Sequence, residues 1–133
     1  MREPVVLTYD KCLDLLRTGV IGRAAVCTPA GPRIVPVNYS LVDESIVFRT
    51  TPYSVLGTYA WKTQLAFEVD HVDEVEHHGW SVVATGPGAM VDDAKELSAI
   101  RASWDPKPWA NGLRLLYVRL RWTELSGRSI GSY

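Results

Sequence analysis

At 133 residues, with 47% hydrophobic and 22% charged residues, the chain is long enough for one soluble domain that buries roughly 65% of its unfolded surface. A formal charge of −1 argues against a dominant nucleic-acid or acidic-membrane surface, and no apolar run reaches the length that spans a bilayer. Met1–Leu7 is too short and too polar for a signal peptide, and Cys12 and Cys27 lack CxxC spacing, so the expectation is a cytoplasmic protein with free thiols.

Thr8 is a candidate N-cap for a helix over about 9–18, with Asp10 in its first turn, an apolar stripe of Cys12, Leu15 and Leu16, and Gly19 as its stop. Residues 20–27 read as a strand, and Pro29-Ala30-Gly31-Pro32 as a turn. From 33 to 41 the chain alternates: Val35, Val37, Tyr39 and Leu41 share one face, and Ile34, Pro36, Asn38 and Ser40 the other. Pro36 removes a ladder donor and belongs at an edge or a bulge. Asp43-Glu44 makes the next turn, 45–50 the third strand, and 54–61 a short helix.

Gln64–Val69 is the fourth strand. His71 to His78 reads as a polar loop, and its ligand-type side chains are sequential rather than set at metal-site spacing, so no metal is expected. Trp80–Val91 is a long strand interrupted at Gly86-Pro87-Gly88, which signals a bend. A helix over about 94–103 follows, capped by Asp92 or Asp93. Residues 104–112 are irregular, 113–122 form the last strand, and 123–133 read as a tail over the surface. About six strands in short-turn succession, with helices between some of them, suit a mainly β fold, a small antiparallel barrel with peripheral helices.

Three features point to chemistry. Arg49 ends a strand just before a helix start at Thr51-Pro52-Tyr53-Ser54, and a guanidinium beside free backbone N–H groups suits a phosphate. Trp80 with Ser81, and Trp109 in a proline-stiffened loop, place rings beside polar backbone, as a flat heterocycle needs. Tyr117 and Trp122 near Arg114, Arg119 and Arg121 are the one candidate face for single-stranded nucleic acid, but the near-neutral net charge weighs against it and an arginine-rich strand face is commonly solvated surface, so no nucleic-acid partner is expected. No nucleophile elbow, P-loop or dinucleotide fingerprint occurs.

In chain order, Leu-Leu-Arg-Thr-Gly-Val-Ile-Gly-Arg-Ala-Ala-Val (15–26), Ile-Val-Pro-Val-Asn-Tyr (34–39), Val-Phe-Arg-Thr (47–50), Ala-Phe-Glu-Val-Asp (66–70), Gly-Trp-Ser-Val (79–82), Pro-Trp-Ala (108–110) and Leu-Ser-Gly-Arg-Ser-Ile (125–130) resemble the pyridoxamine 5′-phosphate oxidase-like family of flavin-binding split-barrel proteins. The similarity covers about 8–130, the expected core of a single domain spanning 1–133. It implies a six-stranded antiparallel split barrel and a homodimer with FMN in two grooves between subunits. By position, the resemblance sets Pro36, Val37, Asn38 and Tyr39 along the flavin ring and runs Phe48, Arg49 and Thr50 from ring to phosphate. Ser54 would meet the phosphate, with Trp80, Ser81 and Trp109 covering the ring from the partner subunit.

Val55 stands where this branch commonly has a lysine that neutralises the phosphate. Losing one charged hydrogen bond costs about 1.5–3 kcal/mol, about ten- to a hundredfold in affinity. The resemblance therefore leaves open weak FMN binding, the deazaflavin F420 in its place, or an empty site. The expected function is a flavin-dependent oxidoreductase acting on a small-molecule redox substrate. The alternatives are a carrier of flavin, F420 or haem without turnover, and a cofactor-free dimeric interaction module. Tyr39 and Ser81 are the candidate proton donors. A second basic set for pyridoxamine phosphate itself is not evident.

Overall fold

The computed structural model describes residues 3–61, 63–104 and 116–131. After a two-residue strand, β1 (Val5–Val6), the helix α1 (Tyr9–Thr18) starts as its sequence dictates. Thr8 Oγ1 accepts a hydrogen bond from the Lys11 N–H at 3.2 Å, and the Gly19 N–H closes the helix on the Leu16 carbonyl. Cys12, Leu15 and Leu16 form its buried face. Both cysteines are thiols, Cys12 buried and Cys27 exposed.

β2 (Ile21–Thr28), β3 (Gly31–Leu41), β4 (Ser45–Thr50), β5 (Gln64–Asp73), β6 (His78–Met90) and β7 (Leu116–Arg121) form the barrel, with the one-turn helix α2 (Val55–Tyr59) between β4 and β5. Every pairing is antiparallel in the order β6-β5-β2-β3-β4-β7, and β6–β7 closes the ring. These six strands correspond to the six read from the sequence. Inside, the Phe67 ring lies edge-on to Tyr39, with centroids 5.2 Å apart, and stacks on Phe48 at 6.0 Å. Val69, Val82, Val118 and Leu120 complete this core. β3 has β2 alone beside it up to Asn38, since β4 pairs only from Tyr39 onward. Pro36 therefore lies at an edge, where its missing donor costs nothing.

β6 changes partner part-way. Gly79–Thr85 pair with β8 (Glu124–Ile130), and Gly88–Met90 pair with β7. A β-carbon on Gly86 would strike the Arg121 carbonyl, and one on Gly88 the Ala60 carbonyl. Glycine is needed because three chain segments converge there. α3 (Ala94–Trp104) lies outside the barrel: Ile100 and Leu97 pack with Val47, Val91 and Tyr117 in a second, smaller core. Its start is held by Asp93, whose carboxylate accepts the Lys95 N–H.

Two expectations change. The segment from His71 to His78 is not a loop. β5 continues to Asp73, β6 begins at His78, and only four residues turn between them. Asp73 Oδ1 accepts the N–H groups of Val75 and Glu76, and His77 takes φ 56°. The polar sequence hid a hairpin whose ladder supplies what apolar alternation does not. The tail is not a surface wrap either, because β8 pairs with seven residues of β6 and in turn with β1. The Tyr117 and Arg119 side chains, on the arginine-rich strand set aside as a nucleic-acid face, are buried beneath α3. Arg119 donates to Glu96 Oε1 at 2.6 Å, to Ser45 Oγ at 2.7 Å and to the Val42 carbonyl. Arg114, and Trp109 with most of the 104–112 segment, lie outside the described residues. No described helix is long and apolar enough to cross a membrane.

Candidate cofactor site

The alternation of β3 and β4 decides what each expected site residue presents. Tyr39 and Phe48, cross-strand partners, both point inward. Tyr39 is 4% exposed and Phe48 fully buried, so only their backbones face outward. The Tyr39 hydroxyl donates to the Leu16 carbonyl at 2.6 Å, and burial pushes its pKa well up. That proton is engaged, so Tyr39 is removed from the candidate proton donors. Val37 packs against the same core, while Pro36 is exposed and Asn38 half-buried on the outer face. The Asn38 amide donates to the Val20 carbonyl at 3.3 Å.

The expected phosphate residues divide into two groups. Thr50 Oγ1 and Ser54 Oγ lie 2.7 Å apart, and Ser54 Oγ also donates to the Thr51 carbonyl and accepts the Gly57 N–H. Ser54 thereby caps its own helix. That helix has five residues, so its macrodipole is weak. Arg49 points elsewhere. It faces its register partner Tyr117 across β4–β7, with its guanidinium carbon 5.0 Å from the ring centroid. From α3, Arg101 also reaches that ring: its guanidinium carbon is 5.3 Å from the centroid and its Nε donates to the Tyr117 hydroxyl at 3.4 Å. Val55 is exposed and offers no charge.

Trp80 and Ser81, expected to cover the ring, stand on the other flank of the sheet. Trp80 is 7% exposed, and with Ser81 it lines a cavity of about 440 Å³ whose other walls include Val72, Ile130, Asp70 and Arg128. Between the two flanks runs an open sheet face. Its rows follow from register: Ile34, Ala25, Ala66 and Thr85 in one, and Pro36, Arg23, Glu68 and Val83 in the next. Ile34 is 69% exposed here and Ile21 44%. The charges on this face are paired with one negative charge in excess, since Arg23 bonds both Glu68 at 3.0 Å and Asp70 at 3.1 Å. Asp70 first and then Glu68 hold the guanidinium more firmly protonated.

A model of the family described as pyridoxamine 5′-phosphate oxidase matches residues 8–129. The chain belongs to this family. An uncharacterized protein of Mycobacterium tuberculosis is 31% identical over 115 residues, 83% of this chain and 74% of that protein. Among solved structures, the FAD binding protein from Mycobacterium smegmatis is 27% identical, with a TM-score of 0.80 over 95% of this chain and 98% of its own. A conserved protein of unknown function from Corynebacterium diphtheriae is 29% identical, with a TM-score of 0.77 over 96% of this chain and 98% of its own. The family's six-stranded barrel is thus the fold of this chain.

Sequence reasoning passed over Arg101 and Tyr117 as partners of Arg49. Arg49 and Tyr117 are 68 positions apart in a chain of 133 residues, and only the β4–β7 ladder joins them. The sole local signal was a basic residue in the last turn of a helix, which the macrodipole favours anyway.

Proposed function

We propose that this protein is a homodimeric flavin-binding oxidoreductase acting on a small-molecule substrate, with each flavin seated between protomers. One observation carries the reading. The β3 stretch Pro36–Asn38 and the Trp80–Ser81 cavity lie side by side on one protomer, separated by β2 and β5. Three strand spacings put them about 14 Å apart. A ring walled on one side by β3 and on the other by the Ser81 face of β6, with Trp80 turned into the core behind it, needs these surfaces face to face, and a second copy stacked on the open sheet face by a twofold axis provides that. The exposed Ile21 and Ile34 and the ion-paired Arg23 guanidinium suit such burial.

The residues present fit a flavin nucleotide. Flat apolar walls and outward backbone groups on β3 suit the ring, and Arg49 suits the phosphate. FMN is the smallest form that carries both parts; FAD, which the Mycobacterium smegmatis relative binds, carries the same two. When bound, a flavin supplies hydride or electron transfer at its N5 face. The chain's own residues position the ring, exclude water and hold the phosphate. Ser81, half-buried on the outer face of β6, is the described hydroxyl placed to donate a proton there.

The test is a titration of purified protein with riboflavin, FMN, FAD and F420, followed by fluorescence quenching and the visible spectrum. Saturable binding of a flavin nucleotide, with colour that bleaches under a nicotinamide donor and returns in air, is the expected result. Tight binding of F420 with no flavin bound would replace the cofactor, and no binding of any of the four would end the proposal.

A further inference from the structure

We infer that Arg101 is the second cation of the phosphate anchor, and that Tyr117 is the rigid post on which it and Arg49 are set. The inference rests on the flavin reading above and specifies its anionic end. Tyr117 is 2% exposed and fixed among Val47, Val91 and Ile100, so it offers one unmoving ring to two flexible side chains. Arg49 arrives from the adjacent strand and Arg101 from the last turn of α3, each over that ring. Their guanidinium carbons are no farther apart than the sum of 5.0 and 5.3 Å. Two guanidinium groups gathered at one fixed ring put planar donor forks within reach of a single anion. Each fork can give a charged hydrogen bond to phosphate oxygen and keep donors for its other partners, because a guanidinium has five N–H groups.

The alternative anchor is weak by its own geometry. The Thr50 and Ser54 hydroxyls are bonded to one another and to the cap of α2, and Val55 brings no charge. Arg49, the one charged residue for a phosphate there among the described residues, is turned toward Tyr117. The cation missing at position 55 is therefore supplied from α3. Drawn close together, the two guanidiniums grip the single phosphate of FMN; held near the limit of their separation, they grip the two phosphates of FAD.

The experiment compares the wild type with Arg101→Gln and Arg101→Lys, titrating riboflavin, FMN and FAD by fluorescence quenching, with thermal unfolding as the check on folding. The expected result is a ten- to hundredfold loss of nucleotide affinity in Arg101→Gln, with riboflavin unchanged and partial recovery in Arg101→Lys. A larger loss for FMN than for FAD identifies a monophosphate grip, and the reverse a diphosphate grip. An equal loss for all three flavins, or no loss for any, overturns the inference while leaving flavin binding intact. If Arg101→Gln fails to fold, Tyr117→Phe removes the acceptor of Arg101 Nε and keeps the ring, and a smaller nucleotide-selective loss is expected there. If the wild type binds no flavin, line broadening of inorganic pyrophosphate in phosphorus NMR decides the anion site separately. Broadening by wild type that is lost in Arg101→Gln upholds it, and equal spectra overturn it.

Discussion

Tyr39 and Phe48 point into the barrel and meet Phe67, whereas Asn38 and Arg49, each one residue away, point out of it. The inner face is a packing problem. Its side chains are fully enclosed, and the one polar group among these three rings, the Tyr39 hydroxyl, is matched to the Leu16 carbonyl. The outer face is a recognition problem, with charges, exposed isoleucines and backbone edges. The same two strands serve both because the period of two assigns neighbours to opposite sides. Damage inside should therefore read out as lost stability, and damage outside as lost association or affinity.

The largest effect is expected at Phe67, which contacts both other rings and is 1% exposed. Phe67→Ala removes a buried aromatic from the centre of the barrel and should cost about 3–5 kcal/mol in denaturant unfolding. A loss below about 1 kcal/mol would mean that the ring cluster is not the centre of the core.

Next is the link between the barrel and α3. Arg119 is nearly enclosed and leans on Glu96 at 2.6 Å, while Asp43 is a more distant partner at 3.5 Å. Glu96→Ala leaves a buried guanidinium short of its best acceptor and should cost about 1.5–3 kcal/mol. Because α3 carries Arg101, the same variant should also weaken nucleotide binding more than riboflavin binding. Equal stability with and without Glu96 would show that Ser45 and the Val42 carbonyl suffice to hold Arg119.

A smaller change separates packing from hydrogen bonding inside the barrel. Tyr39→Phe keeps the edge contact with Phe67 and deletes the bond to Leu16, for about 1 kcal/mol near neutral pH. Burial raises the Tyr39 pKa, so the folded chain keeps a proton that the unfolded chain releases from about pH 10 upward. Its stabilising contribution is whole below that value and declines as pH rises. The gap between wild type and Tyr39→Phe should therefore narrow above about pH 10. A gap constant to pH 11 would place the hydroxyl in contact with solvent.

The barrel was legible because several of its strands alternate clearly, from Val35, Val37 and Tyr39 to Leu116, Val118 and Leu120, and turn residues separate the rest. β8 was not, because Glu-Leu-Ser-Gly-Arg-Ser-Ile shows little β character by itself and draws its order from the free edge of β6. The far end of the β5–β6 hairpin was hidden for a related reason. It carries acidic and histidine side chains with no buried face to mark it as strand. At the site, the types and places of Pro36, Asn38 and Arg49 were readable, but the direction of Arg49 was not. That direction depends on Tyr117, a residue brought alongside only when the barrel closes.

The smallest effect on the fold should accompany the clearest effect on assembly. Ile34 is 69% exposed in the protomer, lies beside Ala25 in register, and touches no part of the inner core. Ile34→Glu should change the stability of the isolated protomer by no more than about 0.5 kcal/mol. In a stacked dimer the same carboxylate would be trapped against a partner's sheet face, where an unpaired charge is costly. The variant should therefore sediment as a monomer where the wild type sediments as a dimer, and its melting temperature should lose the dependence on protein concentration that coupled unfolding and dissociation impose. If flavin binding needs both flanks, it should disappear together with the dimer. A monomeric Ile34→Glu that still binds flavin at wild-type affinity would put the whole site within one protomer, and would make the outer face of β2, β3 and β5 ordinary surface rather than half of a cofactor pocket.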